Sequence, residues 1–157
     1  MVAHSWDPYI MITVEESILI DRPPEQVFAR LASFGNRASW TVEVLEETQS
    51  PPGAIHIGTR VTQVYNIFGG RVRITSQITE LEPDRKLTLR STPETLPSLQ
   101  WTYLLEPVVD GTRLTIFVQI DLRGAIILSL LRPLVAWRRR TGVRKRLQNL
   151  KRVLESR

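Results

Sequence analysis

From Thr41 to Leu122 the sequence repeats one pattern: short runs of alternating apolar and polar residues, separated by turn signals built from Pro, Gly and Asp. A long helical period replaces it only once, after Gly124, and runs to about Leu154. Alternating strands make a sheet with one apolar face, and that face has to be covered. The terminal helix is the only element able to cover it. The pattern therefore predicts an α+β fold, an antiparallel sheet packed on its C-terminal helix.

The first strand is expected over residues 11–20, where Ile12, Val14, Ile18 and Ile20 share a side. Asp21-Arg22-Pro23-Pro24-Glu25 ends it and opens a short helix. Asp21 is placed to cap that helix, and prolines are tolerated in a first turn. Val27, Phe28 and Leu31 form its buried face, and a second short helix or turn is expected over 34–40. Further strands are expected over 42–48, 59–68, 71–81, 86–91, 99–106 and 112–122, which makes seven. Gly69-Gly70 and Asp110-Gly111 join two hairpins, since both dipeptides suit the positive φ angles of two-residue turns. Residues 1–10 read as an N-terminal arm and 11–157 as a single domain.

The turns set registers, and registers set faces. A turn at Gly69-Gly70 places Ile67 opposite Val72, Tyr65 opposite Ile74, Gln63 opposite Ser76 and Val61 opposite Ile78. Arg71, Arg73, Thr75, Gln77 and Thr79 then take the other face. A turn at Asp110-Gly111 places Leu105 opposite Ile116, Tyr103 opposite Val118 and Trp101 opposite Ile120. Each hairpin thus has one apolar, aromatic face with few polar groups.

Several chemistries are excluded at once. The 157 residues contain no cysteine, so there is no disulfide framework, thiol nucleophile or thiolate metal site. With only His4 and His56, a histidine-rich metal site is not expected. No Ser/His/Asp order and no glycine-rich phosphate loop is present. The longest apolar stretch falls well short of the roughly 20 residues of a membrane span, and without a charged n-region followed by an apolar h-region no secretion is expected. The expected location is the cytoplasm. The net charge of +5 is uneven: residues 132–157 carry ten Lys and Arg against Glu155 alone, and the rest of the chain is acidic.

Ile20-Asp21-Arg22-Pro23-Pro24-Glu25-Gln26-Val27-Phe28, Trp40, Ile78-Thr79-Glu80-Leu81-Glu82-Pro83, Leu105-Glu106-Pro107 and Asp110-Gly111-Thr112-Arg113-Leu114 follow one another in a telling order. With the basic helix carrying Leu147, Leu150, Leu154 and Glu155, this order resembles the START-like (SRPBCC) helix-grip superfamily, in its polyketide cyclase/dehydrase and lipid-transport branch. The resemblance spans about residues 11–155. It implies a helix-grip fold, in which a curved seven-stranded sheet wraps round a long helix with two short helices between strands 1 and 2. It also implies a cavity for a lipophilic molecule such as a lipid, quinone or polyketide-like compound. Binding or transport of such a molecule is the expected function, without a cofactor. A polyketide cyclase or aromatase using pocket Tyr and Glu residues is the alternative, because the fold serves both.

On that implied architecture Gln63, Tyr65, Ser76, Trp101, Tyr103 and Val118 line the cavity, with Trp40 near its mouth. Apolar walls with a few placed polar groups suit a small-molecule site. The same aromatics would also serve as ordinary core, with their hydroxyls reaching the surface. Glu16 shares the parity of Val14 and Ile18, and a carboxylate among apolar groups can act as an acid or base. A watery rim is its more ordinary place. His56 reads as an exposed loop histidine. Arg73 and Arg123 are candidates to hold a carboxylate or enolate, although parity turns Arg73 outward.

At 100° per residue Ala136, Val143, Leu147, Leu150 and Leu154 form one stripe of the terminal helix, able to grip the sheet. Ile127, Leu130, Leu131, Leu134 and Trp137 fall nearly opposite, and Arg138, Lys145 and Arg152 continue that side. A kink at Pro133 or Gly142 that turns the first half inward is the favoured explanation. The other is an apolar patch running into a basic stripe, suited to peripheral contact with an anionic membrane or to a homodimer. Nucleic acid is not an expected partner, because no aromatics interleave the cations.

Overall fold

Each run of alternating residues forms a strand, and all seven strands join one sheet. The elements are β1 (Met11–Ile20), α1 (Pro24–Leu31), β2 (Val44–Ser50), β3 (Arg60–Ile67), β4 (Gly70–Glu82), β5 (Lys86–Ser91), β6 (Ser98–Val108), β7 (Gly111–Asp121) and α2 (Arg132–Glu155). They are taken from a computed structural model that describes residues 11–36, 39–41, 43–67, 69–93, 98–122 and 131–156. The sheet order is β1-β7-β6-β5-β4-β3-β2, with every neighbouring pair antiparallel. The expected arm at 1–10 lies outside the described residues.

Both expected hairpin registers are corrected by two residues, in the same direction. Ile67 pairs with Gly70, so Tyr65 faces Val72, Gln63 faces Ile74 and Val61 faces Ser76. Val108 pairs with Gly111, so Leu105 faces Leu114, Tyr103 faces Ile116 and Trp101 faces Val118. The positive φ angles fall on Gly69 (77°) and Asp110 (67°), the second loop position of each turn. Gly111 serves a different need. A Cβ there would lie 2.2 Å from the Ile20 carbonyl oxygen, so glycine is what lets β7 start against the end of β1. Because the shift is even, every side chain keeps its expected face.

The concave face carries the core: Val14, Ile78, Leu87, Tyr103, Leu105, Leu114, Ile116, Val118 and Ile120 are buried there with Val143, Leu147 and Leu150 of α2. The other face bears polar cross-strand pairs, including Ser17 with Thr115 (2.8 Å), Thr62 with Thr75 (3.1 Å) and Gln100 with Gln119 (2.9 Å). A solvated outer face and an apolar inner one give the sheet a single side on which a helix can pack.

Two expectations about the helices are corrected. The N-cap of α1 is Pro23, with no side-chain cap, and Asp21 instead gives its backbone N–H to Glu155 Oε1 at 2.8 Å. That bond ties the end of β1 to the end of α2. Over 34–40, where a second short helix or turn is expected, the described residues make turns closed by Asn36 N–H to Ser33 O and Ser39 N–H to Asn36 O, and residues 37 and 38 lie outside the described residues. The terminal helix is continuous through Gly142, and Pro133 sits in its first turn, where the missing N–H costs nothing. Leu131, Leu134 and Trp137 remain exposed, so the first half is not turned inward. Ile127 and Leu130 lie outside the described residues.

Candidate functional site

α2 runs along β1, and its buried stripe of Val143, Leu147 and Leu150 closes over that side of the sheet. The side chains that close the opposite side are longer. Toward β3–β6 the gap is spanned by Arg139 and Arg146 from the helix and by Trp101 from the sheet. A small pocket lies beneath them, lined by Gln63 and Tyr65 of β3, Ser76 of β4, Leu89 of β5, Trp101 and Tyr103 of β6, and Arg146 of α2. Its volume is ≈ 20 Å³, room for about one water molecule.

Five of the seven residues proposed from sequence come together here: Gln63, Tyr65, Ser76, Trp101 and Tyr103. Trp40 and Val118 do not. Trp40 is 2% exposed and packed into the core rather than standing at a mouth. Val118 is covered because it sits between Val14 of β1 and Trp101 of β6, on the side that α2 closes. Leu89 and Arg146 were not anticipated. Leu89 is the cross-strand neighbour of Trp101. Arg146 had a legible signal, since it lies on the apolar stripe three residues after Val143 and four before Leu150.

The polar wall is connected. The Tyr65 hydroxyl donates to Gln63 Oε1 at 2.7 Å, Gln63 Nε2 donates to Glu47 Oε2, and Glu47 Oε1 accepts the Gly35 N–H at 2.6 Å. This chain fixes the Gln63 amide and the Tyr65 hydroxyl beside it. Across from it Arg146 is 7% exposed, and its guanidinium carbon lies 4.4 Å from the Trp101 ring centroid, within cation–π range. Burial works against the Arg146 charge, but the oxygens of Tyr65, Tyr103 and Glu43, with a hydrogen bond to Tyr103, outweigh it and hold the group above its ordinary range. Arg139 approaches the same ring at 5.8 Å. Burial and the neighbouring Arg146 pull its pKa down, against the pull of Tyr65 and Glu43.

The other candidates lie elsewhere. Glu16 is at the β1 edge, where Oε1 meets Arg144 Nε at 3.0 Å and Arg140 Nε at 3.6 Å. This is a clamp between strand and helix, and it leaves the pocket lining without a carboxylate. Arg73 is exposed on the outer face, and His56 is exposed in its loop with Nδ1 3.0 Å from the Ile57 carbonyl oxygen. Arg123 lies outside the described residues. Among the described residues no group of three or more His, Asp or Glu side chains is placed to hold a metal ion. None of the described helices is long and apolar enough to cross a membrane.

A seven-stranded antiparallel sheet gripping a C-terminal helix, with an aromatic pocket between them, defines the helix-grip class. The family model described as polyketide cyclase/dehydrase and lipid transport matches residues 11–155, and the chain belongs to that family. Among solved structures, TTHA0849 from Thermus thermophilus is 22% identical, with 90% of this chain and 96% of that chain covered and a TM-score of 0.77. The di-domain ARO/CYC StfQ from the steffimycin biosynthetic pathway is 12% identical with a TM-score of 0.78, the match covering 94% of this chain and 52% of that one. Ara h 8.0201 is 14% identical with a TM-score of 0.73, covering 94% and 99%. At these identities the likeness is one of fold. Among curated proteins none matches the sequence significantly.

Proposed function

We propose that this protein binds a lipophilic small molecule between the concave face of the sheet and α2, as a carrier rather than a catalyst. The observation that carries the reading is the pocket itself. Leu89 and the Trp101, Tyr65 and Tyr103 rings form an apolar wall, and a few fixed polar groups stand among them under the terminal helix. Membership of a family that includes lipid transport supports the same reading. A molecule larger than a water enters when the long side chains bridging the gap swing aside. Trp101 and Arg146 can do so by changing rotamer, without breaking a strand pair. The cyclase alternative needs an acid–base pair at the substrate, and its carboxylate candidate, Glu16, is held by Arg140 and Arg144 away from the lining.

Native mass spectrometry of gently purified protein, with tryptophan fluorescence across a lipid, sterol and quinone panel, tests this. A co-purified organic species or a saturable fluorescence change is expected. No bound species and no response across the panel would contradict the carrier reading. Turnover of a poly-β-ketone mimic, lost in Tyr103→Phe, would support the cyclase.

The exposed Leu131 (46%), Leu134 (57%) and Trp137 (65%) make an apolar patch at the start of α2, with Arg138 and Lys145 exposed beside it. This patch suits docking on an anionic leaflet, where each nearby cation adds about 1 kcal/mol and salt screens the attraction. Flotation with anionic vesicles at low salt, lost at high salt and in Leu134→Ser/Trp137→Ser, is the expected result. Equal flotation of parent and variant, or none, overturns the membrane reading. A dimer lost in the same variant would assign the patch to a second copy.

A further inference from the structure

Resting on the carrier reading, we propose that the ligand is amphipathic, with a lipophilic body and one anionic head (carboxylate, sulfonate or enolate), and that Arg146 is the group that pairs with the head. Four observations lead there. Arg146 is 7% exposed, so its charge has been taken almost wholly out of water, which is costly unless the charge is paired. Among the described residues no carboxylate stands within ion-pair distance of it, although Arg140 and Arg144 on the same helix both find Glu16. What it meets instead is one face of Trp101 and the neutral hydroxyls of Tyr65 and Tyr103, with the Glu43 carboxylate acting only from beyond ion-pair distance. The side chain also lines the pocket, so its donors border the space a ligand would occupy.

Arg139 strengthens the case. It is the second cation beside the Trp101 ring, and it too has no carboxylate within ion-pair distance among the described residues. Two like charges flanking one indole repel each other, and an anion in the pocket relieves that repulsion at both. A guanidinium fork suits a planar two-oxygen head better than a single hydroxyl, since it can donate two parallel N–H bonds. The Tyr103 hydroxyl is placed beside the same head. The body of the ligand would lie along Leu89 and the aromatic rings. A neutral sterol, quinone or alcohol would satisfy that wall and bring neither cation an anion at ion-pair distance, which makes an acid the preferred cargo.

A matched pair of probes tests this: 8-anilinonaphthalene-1-sulfonate and N-phenyl-1-naphthylamine, which share their rings and differ by the sulfonate. The wild-type protein is expected to bind the sulfonate at least about tenfold more tightly, the scale of one charge-assisted hydrogen bond. Arg146→Met should bring the two affinities to within about threefold of each other, whatever it does to the binding of both. Trp137→Ala, run alongside, removes any contribution from the exposed patch and should leave the preference intact. Dodecanoate should displace the bound sulfonate probe and dodecanol should not, a comparison that needs no variant to fold. Equal wild-type affinities, or a preference that survives Arg146→Met, overturn the inference and leave the carrier reading standing. Binding of neither probe, with no competition by either chain, counts against both.

Discussion

The Arg146 guanidinium lies 4.4 Å from the centroid of the Trp101 ring, buried between helix and sheet beside the pocket. Replacing a buried charge by an apolar group of similar length is often neutral or stabilising, because the desolvation cost disappears with it. The loss of the cation–π contact and the Tyr103 hydrogen bond works the other way, each about 1 kcal/mol. Arg146→Met is therefore expected to change unfolding free energy by no more than about 1 kcal/mol in urea melts, in either direction. A loss above about 3 kcal/mol would mean that the charge holds the fold together and is not kept for a ligand.

Two glycines separate backbone freedom from close approach. At Gly111 a methyl group would meet the Ile20 carbonyl oxygen at 2.2 Å, and that atom belongs to a paired strand. Gly111→Ala is expected to destabilise the protein by more than about 2 kcal/mol, since a strand pair has to shift. Gly142 stands inside α2 with nothing within 4 Å of its added Cβ, so Gly142→Ala is expected to stabilise by about 0.5–1 kcal/mol. Thermal or urea unfolding of the two variants checks both signs.

Glu155 joins the end of α2 to the start of α1. It accepts Lys151 Nζ at 2.8 Å and the Asp21 N–H at 2.8 Å, while Arg22 Nη2 donates to its backbone carbonyl at 3.0 Å. The Lys151 bond first, then the Asp21 bond, with the Lys151 and Arg22 charges adding to them, hold its pKa below the ordinary value of 4.5. A carboxylate with a lowered folded-state pKa adds stability that is complete above the unfolded value and disappears as pH falls through the folded one. Wild type should melt above Glu155→Gln at pH 7, and the gap should narrow as pH falls below the unfolded value of about 4.3 and vanish once the folded carboxyl is protonated. A gap that stays constant from pH 7 to pH 3 would contradict this.

The faces of the sheet were legible because they depend on parity, and parity survives an error of two residues. A dipeptide with glycine marks a turn but not which loop position takes the positive φ. Gly70 and Gly111 each open the returning strand, while Gly69 and Asp110 take the turn conformation, so both registers moved together. Five pocket residues still converged, as they sit on faces rather than at exact heights. Val118 was misplaced because strand parity says nothing about how far across the sheet the helix reaches. Arg146 was hidden for a different reason. Among ten cations in residues 132–157 it looks like another solvated charge, and only its place on the Val143–Leu147–Leu150 stripe sets it apart.

The claim that the cargo sits under α2 with its head on Arg146 is tested most directly by nuclear magnetic resonance of the arginine side chains and tryptophan indoles during titration with dodecanoate. The Arg146 Nε–H and Trp101 indole N–H signals are expected to shift together and saturate at one equivalent, with Trp137 unmoved. Saturable binding that shifts Trp137 and leaves Arg146 and Trp101 where they were would contradict the account.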